Sequence, residues 1–129
     1  MVTISQQITP ADYKKAQTFL LRIKPVLATG DCTFATTAKN KSFERQFSLR
    51  HEQKIKIIKS LTADDCIKVE PNNNPRFEKS EIYVFLKCVT LPVYGEDESH
   101  TIYIKIYLVE MQPYDSVIVI SFHEEGQYD

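Results

Sequence analysis

Tyr103, Lys105 and Tyr107 occupy every second position of the segment Thr101 to Val109, and Ile102, Ile104, Ile106 and Leu108 fill the positions between or beside them. In a strand, successive side chains point to opposite faces, so one face here is core and the other sets an aromatic, a cation and a second aromatic along one line. Such a line suits a stacked base and its phosphates. It equally suits a solvated sheet face, where Tyr and Lys are ordinary residues. Ser116 to His123 alternates in the same way, with Ile118, Ile120 and Phe122 expected inward and Val117, Val119, Ser121 and His123 outward. RNA cleavage without a metal needs a base for the 2′-OH proton, cations for the crowded phosphorane and an acid for the leaving 5′-oxygen, and His, Lys and Tyr can supply all of them. His123 is the one histidine that falls on an expected strand face. His51 falls at a helix start and His100 in a hairpin loop.

These groups need a sheet to bring them together. Glu81 to Val89 reads as a third strand, with Ile82, Val84, Leu86 and Cys88 on one side and Tyr83, Phe85 and Lys87 on the other. If Thr90 to His100 and Glu110 to Asp115 close as hairpins, the three segments form an antiparallel meander. The simplest register then sets Tyr103 between His123 and Lys87, and a slip of one residue would turn a core face to water. Upstream, Thr9-Pro-Ala-Asp12 has the form of a helix start, followed by Tyr13, Ala16, Phe19, Leu20, Ile23, Val26 and Leu27 at helical spacing. Pro25 should bend or end that helix and Gly30 should stop it. Cys32 to Thr37 is a short strand candidate, the stretch after Asn40 reads as one helix or two with Ser48 as a cap, Thr62 to Asp65 restarts a helical turn, and Val69 to Pro75 is a loop. Helices first and strands after them predict an α+β domain, with N-terminal helices packed on an antiparallel sheet. The helix carrying Phe19 and Ile23 is expected to cover Ile104, Ile106, Ile118 and Ile120.

A chain of 129 residues suffices for one domain, here taken as 1–129, and is short for two. No segment approaches the roughly 18 apolar residues of a membrane span, and the start lacks a basic region followed by an apolar one, so a cytoplasmic location is expected. Cys32, Cys66 and Cys88 have neither a pairing pattern nor metal-ligand spacing, and read as reduced thiols. Charge is uneven: residues 1–70 carry 12 Lys or Arg against 7 Asp or Glu, while the rest carries 4 against 10. Lys39, Lys41, Arg45, Arg50, Lys54, Lys56 and Lys59 make the first part the phosphate-facing candidate, or simply a solvated helical face. A glycine-rich phosphate loop is missing, and only 3 glycines occur in all.

Leu61-Thr-Ala-Asp-Asp65 followed by Lys68, then Ile102-Tyr-Ile-Lys105, then Ile118-Val-Ile-Ser-Phe-His123 resembles the MqsR toxins of bacterial toxin–antitoxin pairs. Phe19-Leu-Leu-Arg-Ile-Lys24, Gly30, Phe34 and Lys39-Asn40 look like the N-terminal part of its Gram-positive-type branch, so the likeness spans roughly residues 19 to 124. The resemblance implies a RelE-like fold, a ribosome-independent mRNA endonuclease acting on single-stranded mRNA, no cofactor and no metal, and inhibition by a cognate antitoxin. The family's functional lysine falls on Lys68, its strand tyrosine on Tyr103, and the residue after Ser-Phe on His123. Lys87 matches a lysine of the branch. Thr37 stands where the branch typically has arginine, Tyr83 for a tryptophan, and Val84 for a polar residue.

Two readings follow. In one, Lys68, Tyr103 and His123 are catalytic and Lys87, Lys105 and Tyr107 bind the substrate. In the other, the same face holds an antitoxin or RNA without cutting. A small-molecule enzyme has no nucleophile motif or cofactor loop to rest on.

Overall fold

The structure is a computed structural model and describes residues 8–77, 80–110 and 114–125. Helix α1, Pro10–Ala28, opens with the Thr9 hydroxyl accepting a hydrogen bond from Asp12 N at 3.0 Å, and Pro10 sits where a missing N–H costs no bond. Pro25 lies inside this helix without ending it. It is exposed and only one turn from the end, so a single hydrogen bond is forfeited where the helix would fray anyway. Gly30 follows at φ +79°, the left-handed conformation that favours glycine.

Strand β1 (Cys32–Phe34) leads to α2 (Ala38–Gln46) and α3 (His51–Lys59). Ser48 lies at φ +53° between these helices rather than capping α3; Arg50 holds the cap position, its N–H donating to Gln53 Oε1 at 2.7 Å. A short 3₁₀ turn at Ala63–Asp65 leads into β2 (Cys66–Glu70), whose second half was expected to be loop. Strands β3 (Ile82–Val93), β4 (Glu96–Val109) and β5 (Ser116–Glu124) complete a five-stranded sheet in the order β1-β5-β4-β3-β2. The fold is α+β, as expected. The sheet is mixed rather than wholly antiparallel, because β1 runs parallel to β5. The hairpin between β3 and β4 is longer than Thr90 to His100 suggested: pairing continues to Val93 and Glu96 and turns at Tyr94-Gly95, both at positive φ, as a two-residue hairpin requires. Of the second connection, residues 111–113 lie outside the described residues.

One face of the sheet carries the helices. Ala16, Phe19, Ile23 and Leu27 of α1 repeat at helical spacing and pack with Tyr83, Phe85, Ile102, Ile104, Ile106, Val117, Val119 and Phe122. Phe19 and Tyr83 stack with centroids 4.0 Å apart. Ile104 and Ile106 are therefore under the helices as expected, but two other strands turn over. In β3 the helix-side residues are Tyr83 and Phe85, whereas Ile82 and Val84 join Tyr107 and Val109 in a second apolar cluster on the outer face. Both faces of β3 are covered, so its residues are apolar on both sides and alternation cannot say which is inward. In β5 Lys105 pairs with Ser121 but Ile106 with Val119, leaving Ile120 as an extra residue in a β-bulge. The bulge reverses the phase, so Val117 and Val119 face the helices while Ile118 and Ile120 pack on the outer cluster.

Asn40 holds this bulge. Its Nδ2 donates to Ala35 O and Ile120 O, each at 2.9 Å, and its Oδ1 accepts from Phe122 N–H at 2.9 Å. Strand β1 has just ended, its last rung being Ala35 N–H to Val119 O at 2.9 Å. The Asn40 amide supplies the next rung in place of a peptide group. The Thr37 hydroxyl fixes the position by accepting from Asn40 N–H at 3.2 Å as the cap of α2.

At the far end of the helix side, His100 lies on β4 rather than in a loop, against the Phe47 ring, with Nδ1 2.6 Å from Glu124 Oε2 and Nε2 3.2 Å from Glu98 Oε1. The hydrogen bond to Glu124 raises its pKa against the opposing effect of burial, with Glu98 adding to the rise.

Asn40→Leu should cost about 2–3 kcal/mol, since one buried N–H and two partly buried carbonyls lose their partner, at about 1–3 kcal/mol for the buried group and less for the others, and should lower the urea midpoint without changing the denaturant slope. For His100 the raised folded pKa means a stabilising contribution complete below about pH 6.5 and lost as pH rises through the folded value. Thermal melts across pH 6 to 9 should show that loss in the parent and a flatter profile in His100→Gln.

Candidate functional site

The outer face gathers residues far apart in the chain. Pairing sets Lys68 of β2 beside Val84 of β3, Val84 beside Lys105 of β4, and Lys105 beside Ser121 of β5. The adjacent row runs Leu86, Tyr103, His123. Lys68, Tyr103, Lys105 and His123 thus share one face, and the Tyr103 and His123 rings stack with centroids 5.6 Å apart and planes 27° apart. The bulge at Ile120 makes this possible, because it keeps Ser121 and His123 outward after an inward Val119.

Two expected members differ from the expectation, Lys87 in its face and Tyr107 in its exposure. Lys87 pairs with Ile102 on the helix side, not with Tyr103; its Nζ donates to Ser60 O at 3.3 Å and lies 3.5 Å from Asp65 Oδ2. It ties the Leu61 to Asp65 turn to β3 and does not face the row. Leu86 takes the place beside Tyr103. Tyr107 is on the outer face but buried among Ile82, Val84 and Val109, 5.8 Å from the Phe77 ring centroid, and burial raises the pKa of its hydroxyl. Tyr107 is thus a packed member of the outer apolar cluster.

Glu70 was missed by the sequence reading, which placed it in a loop. Its Oε1 lies 3.1 Å from Lys68 Nζ and its Oε2 3.4 Å from Lys105 Nζ, so one carboxylate bridges two strands and two cations. Lys-x-Glu spacing on a strand was the signal, since it puts both side chains on one face. Burial pushes the Glu70 carboxyl up, but the hydrogen bond from Lys68 and the charge of Lys105 outweigh it and hold the carboxyl below its ordinary value. Lys68 is raised in turn, first by its hydrogen bond to Glu70 and with a smaller share from Tyr103. His123 has 4 % of its surface exposed, and its Nδ1 is 3.1 Å from Glu124 O.

The three residues that depart from the MqsR pattern have structural places. Thr37 caps α2, Tyr83 stacks on Phe19, and Val84 is fully buried between the two lysines of the row. Cys32 and Cys66 are buried thiols, Cys32 pushed up to about 12 mainly by burial. Comparison with known protein families, with curated proteins and with solved structures found no match. Among the described residues no helix is long and apolar enough to cross a membrane.

Glu70 competes with any anion for Lys68 and Lys105. Glu70→Gln should therefore raise the affinity of this face for a labelled polyanion severalfold in fluorescence anisotropy at low salt, whereas Glu70→Asp should leave it near the parent value. Because the folded pKa is depressed, Glu70 stabilises the fold above its ordinary pKa and stops doing so as pH falls through the folded value. Acid unfolding below about pH 4.5 should accordingly be shallower in Glu70→Gln.

Proposed function

We propose that this protein is a cytoplasmic, RelE-like toxin of the MqsR type, an endoribonuclease that cuts single-stranded mRNA and is neutralised by a cognate antitoxin. The observation that supports the reading is the convergence of Lys68, Tyr103, Lys105 and His123 on one sheet face from three separate strands. In this reading the RNA 2′-oxygen attacks the adjacent phosphorus, the bond to the 5′-oxygen breaks, and the products carry a 2′,3′-cyclic phosphate and a 5′-OH. Lys68 and Lys105 exchange Glu70 for the phosphate and stabilise the phosphorane, Tyr103 stacks on a base, and His123 carries a proton. Uncovering His123 is part of substrate binding.

A second reading, a protein of the same kind that holds RNA or an antitoxin without cutting, is favoured by the burial of His123 and by Val84 between the lysines. Purified protein free of antitoxin, incubated with single-stranded RNA in EDTA, separates the two. Cleavage is expected to persist in chelator with cyclic phosphate ends, and His123→Ala is expected to lower the rate on the order of a hundredfold or more with little change in RNA affinity. Cleavage as fast in His123→Ala as in the parent removes His123 from the chemistry, and no cleavage at all leaves the binding reading. Under either, Lys68→Met should flatten the slope of log affinity against log salt by about 0.7 for single-stranded RNA.

A further inference from the structure

A cavity of about 320 Å³ opens at the free edge of β1, between that strand and helices α2 and α3, on the opposite side of β5 from the Tyr103 and His123 row. Its size is at the lower end of small-ligand sites, which run from about 300 to 1,000 Å³. Its walls are rich in donors and cations: Thr33, Thr36, Lys41, His51 and Lys54. Lys54 is the unusual member, a lysine with 8 % of its surface exposed. A buried ammonium needs close counter-charge, and Lys54 has little: Glu44 Oε2 stands 3.6 Å away, beyond a good hydrogen bond, and the Phe34 ring centroid lies 4.3 Å from Nζ. Glu44 itself is one-third exposed.

The strand edge adds a main-chain donor. Asp31 O accepts from Val117 N–H at 3.0 Å and Ala35 N–H donates to Val119 O at 2.9 Å, so these two groups of the segment point at β5. In a parallel ladder the alternate residue points the other way, which turns the Phe34 N–H away from β5 toward the open edge, and Phe34 is one of the residues lining the cavity. Phe34 and His51 meet edge to face with centroids 5.5 Å apart and form an aromatic wall.

We propose that this cavity is a phosphate-binding site, in which a phosphate monoester replaces Glu44 as the counter-ion of Lys54 and is completed by Lys41, His51 and the Phe34 N–H. The inference stands whether or not the outer face cuts RNA. A phosphate answers the donor set better than a carboxylate, because donors converge from the strand edge and from both helices onto one space and three terminal oxygens can use them.

Calorimetric titration at constant ionic strength tests it, with inorganic phosphate, AMP, and one oligoribonucleotide carrying either a 5′-phosphate or a 5′-OH as probes. Saturable binding of inorganic phosphate is expected, weakened about tenfold or more in Lys54→Met, as fits one lost charge-assisted hydrogen bond, weakened severalfold in Lys41→Ala and tightened in Glu44→Gln. A gain from the 5′-phosphate of the oligonucleotide that vanishes in Lys54→Met identifies an RNA end as the source; binding of phosphate and AMP with no such gain identifies a free phosphate compound. Absence of saturable phosphate binding, or binding unchanged by these substitutions, overturns the proposal. Should Lys54→Met fail to fold, Lys41→Ala and Glu44→Gln decide it, since both residues lie toward the surface and their effects have opposite signs.

Discussion

The side-chain amide of Asn40 is the interaction on which the two halves of the molecule depend. It comes from the first turn of α2 and bonds to the main chain of β5 at positions some 80 residues later in the chain. By standing in for a peptide rung it lets β1 end early and lets β5 carry an extra residue without leaving buried N–H or C=O groups unmatched. The extra residue changes which side chains face out. Had β5 kept strict alternation beyond Val119, Ser121 and His123 would lie under the helices. The placement of His123 beside Tyr103 therefore traces back to an amide on another element, 6 % exposed and outside the row itself.

Legibility in the sequence followed the asymmetry of each element's environment. Helix α1 was readable because its cap, its first proline and its apolar stripe all agree, and β4 because one of its faces is wholly aliphatic. Strand β3 was not, since Tyr83 and Phe85 on one side and Ile82 and Val84 on the other offer no contrast, and an error of one position carried Lys87 into a row to which it does not belong. The phase of β5 was hidden by a bulge that no local residue announces: Ile118, Val119 and Ile120 look alike, and the group that stabilises the irregularity lies in another part of the chain. The pairing of Tyr103 with His123 was nonetheless anticipated, because both lie on the same side of the bulge. Strand β2 escaped because Pro71 and the asparagines after it masked the short Cys66–Glu70 run.

Electrostatics ties the outer face to its own sequence neighbours. Glu70 sits two positions from Lys68 and across two strands from Lys105, so the cations are held in place while their net field is reduced. A surface arranged in this way is weakly attractive to anions at long range, the converse of an open basic groove.

The position of β5 also governs when this surface can exist. The last strand among the described residues lies inside the sheet, with β1 on one side and β4 on the other, so it enters a slot rather than adding to an edge. During synthesis from the N-terminus, the helices and the β3–β4 ribbon can form while residues 116–124 are still to be made, but β1 then has no strand to pair with and Asn40 has no bulge to hold. Closure brings together segments far apart in the chain, a class of contact that makes folding slow. The nascent polypeptide consequently carries Lys68, Tyr103 and Lys105 without His123, and the stacked pair arises only in the step that seals the sheet.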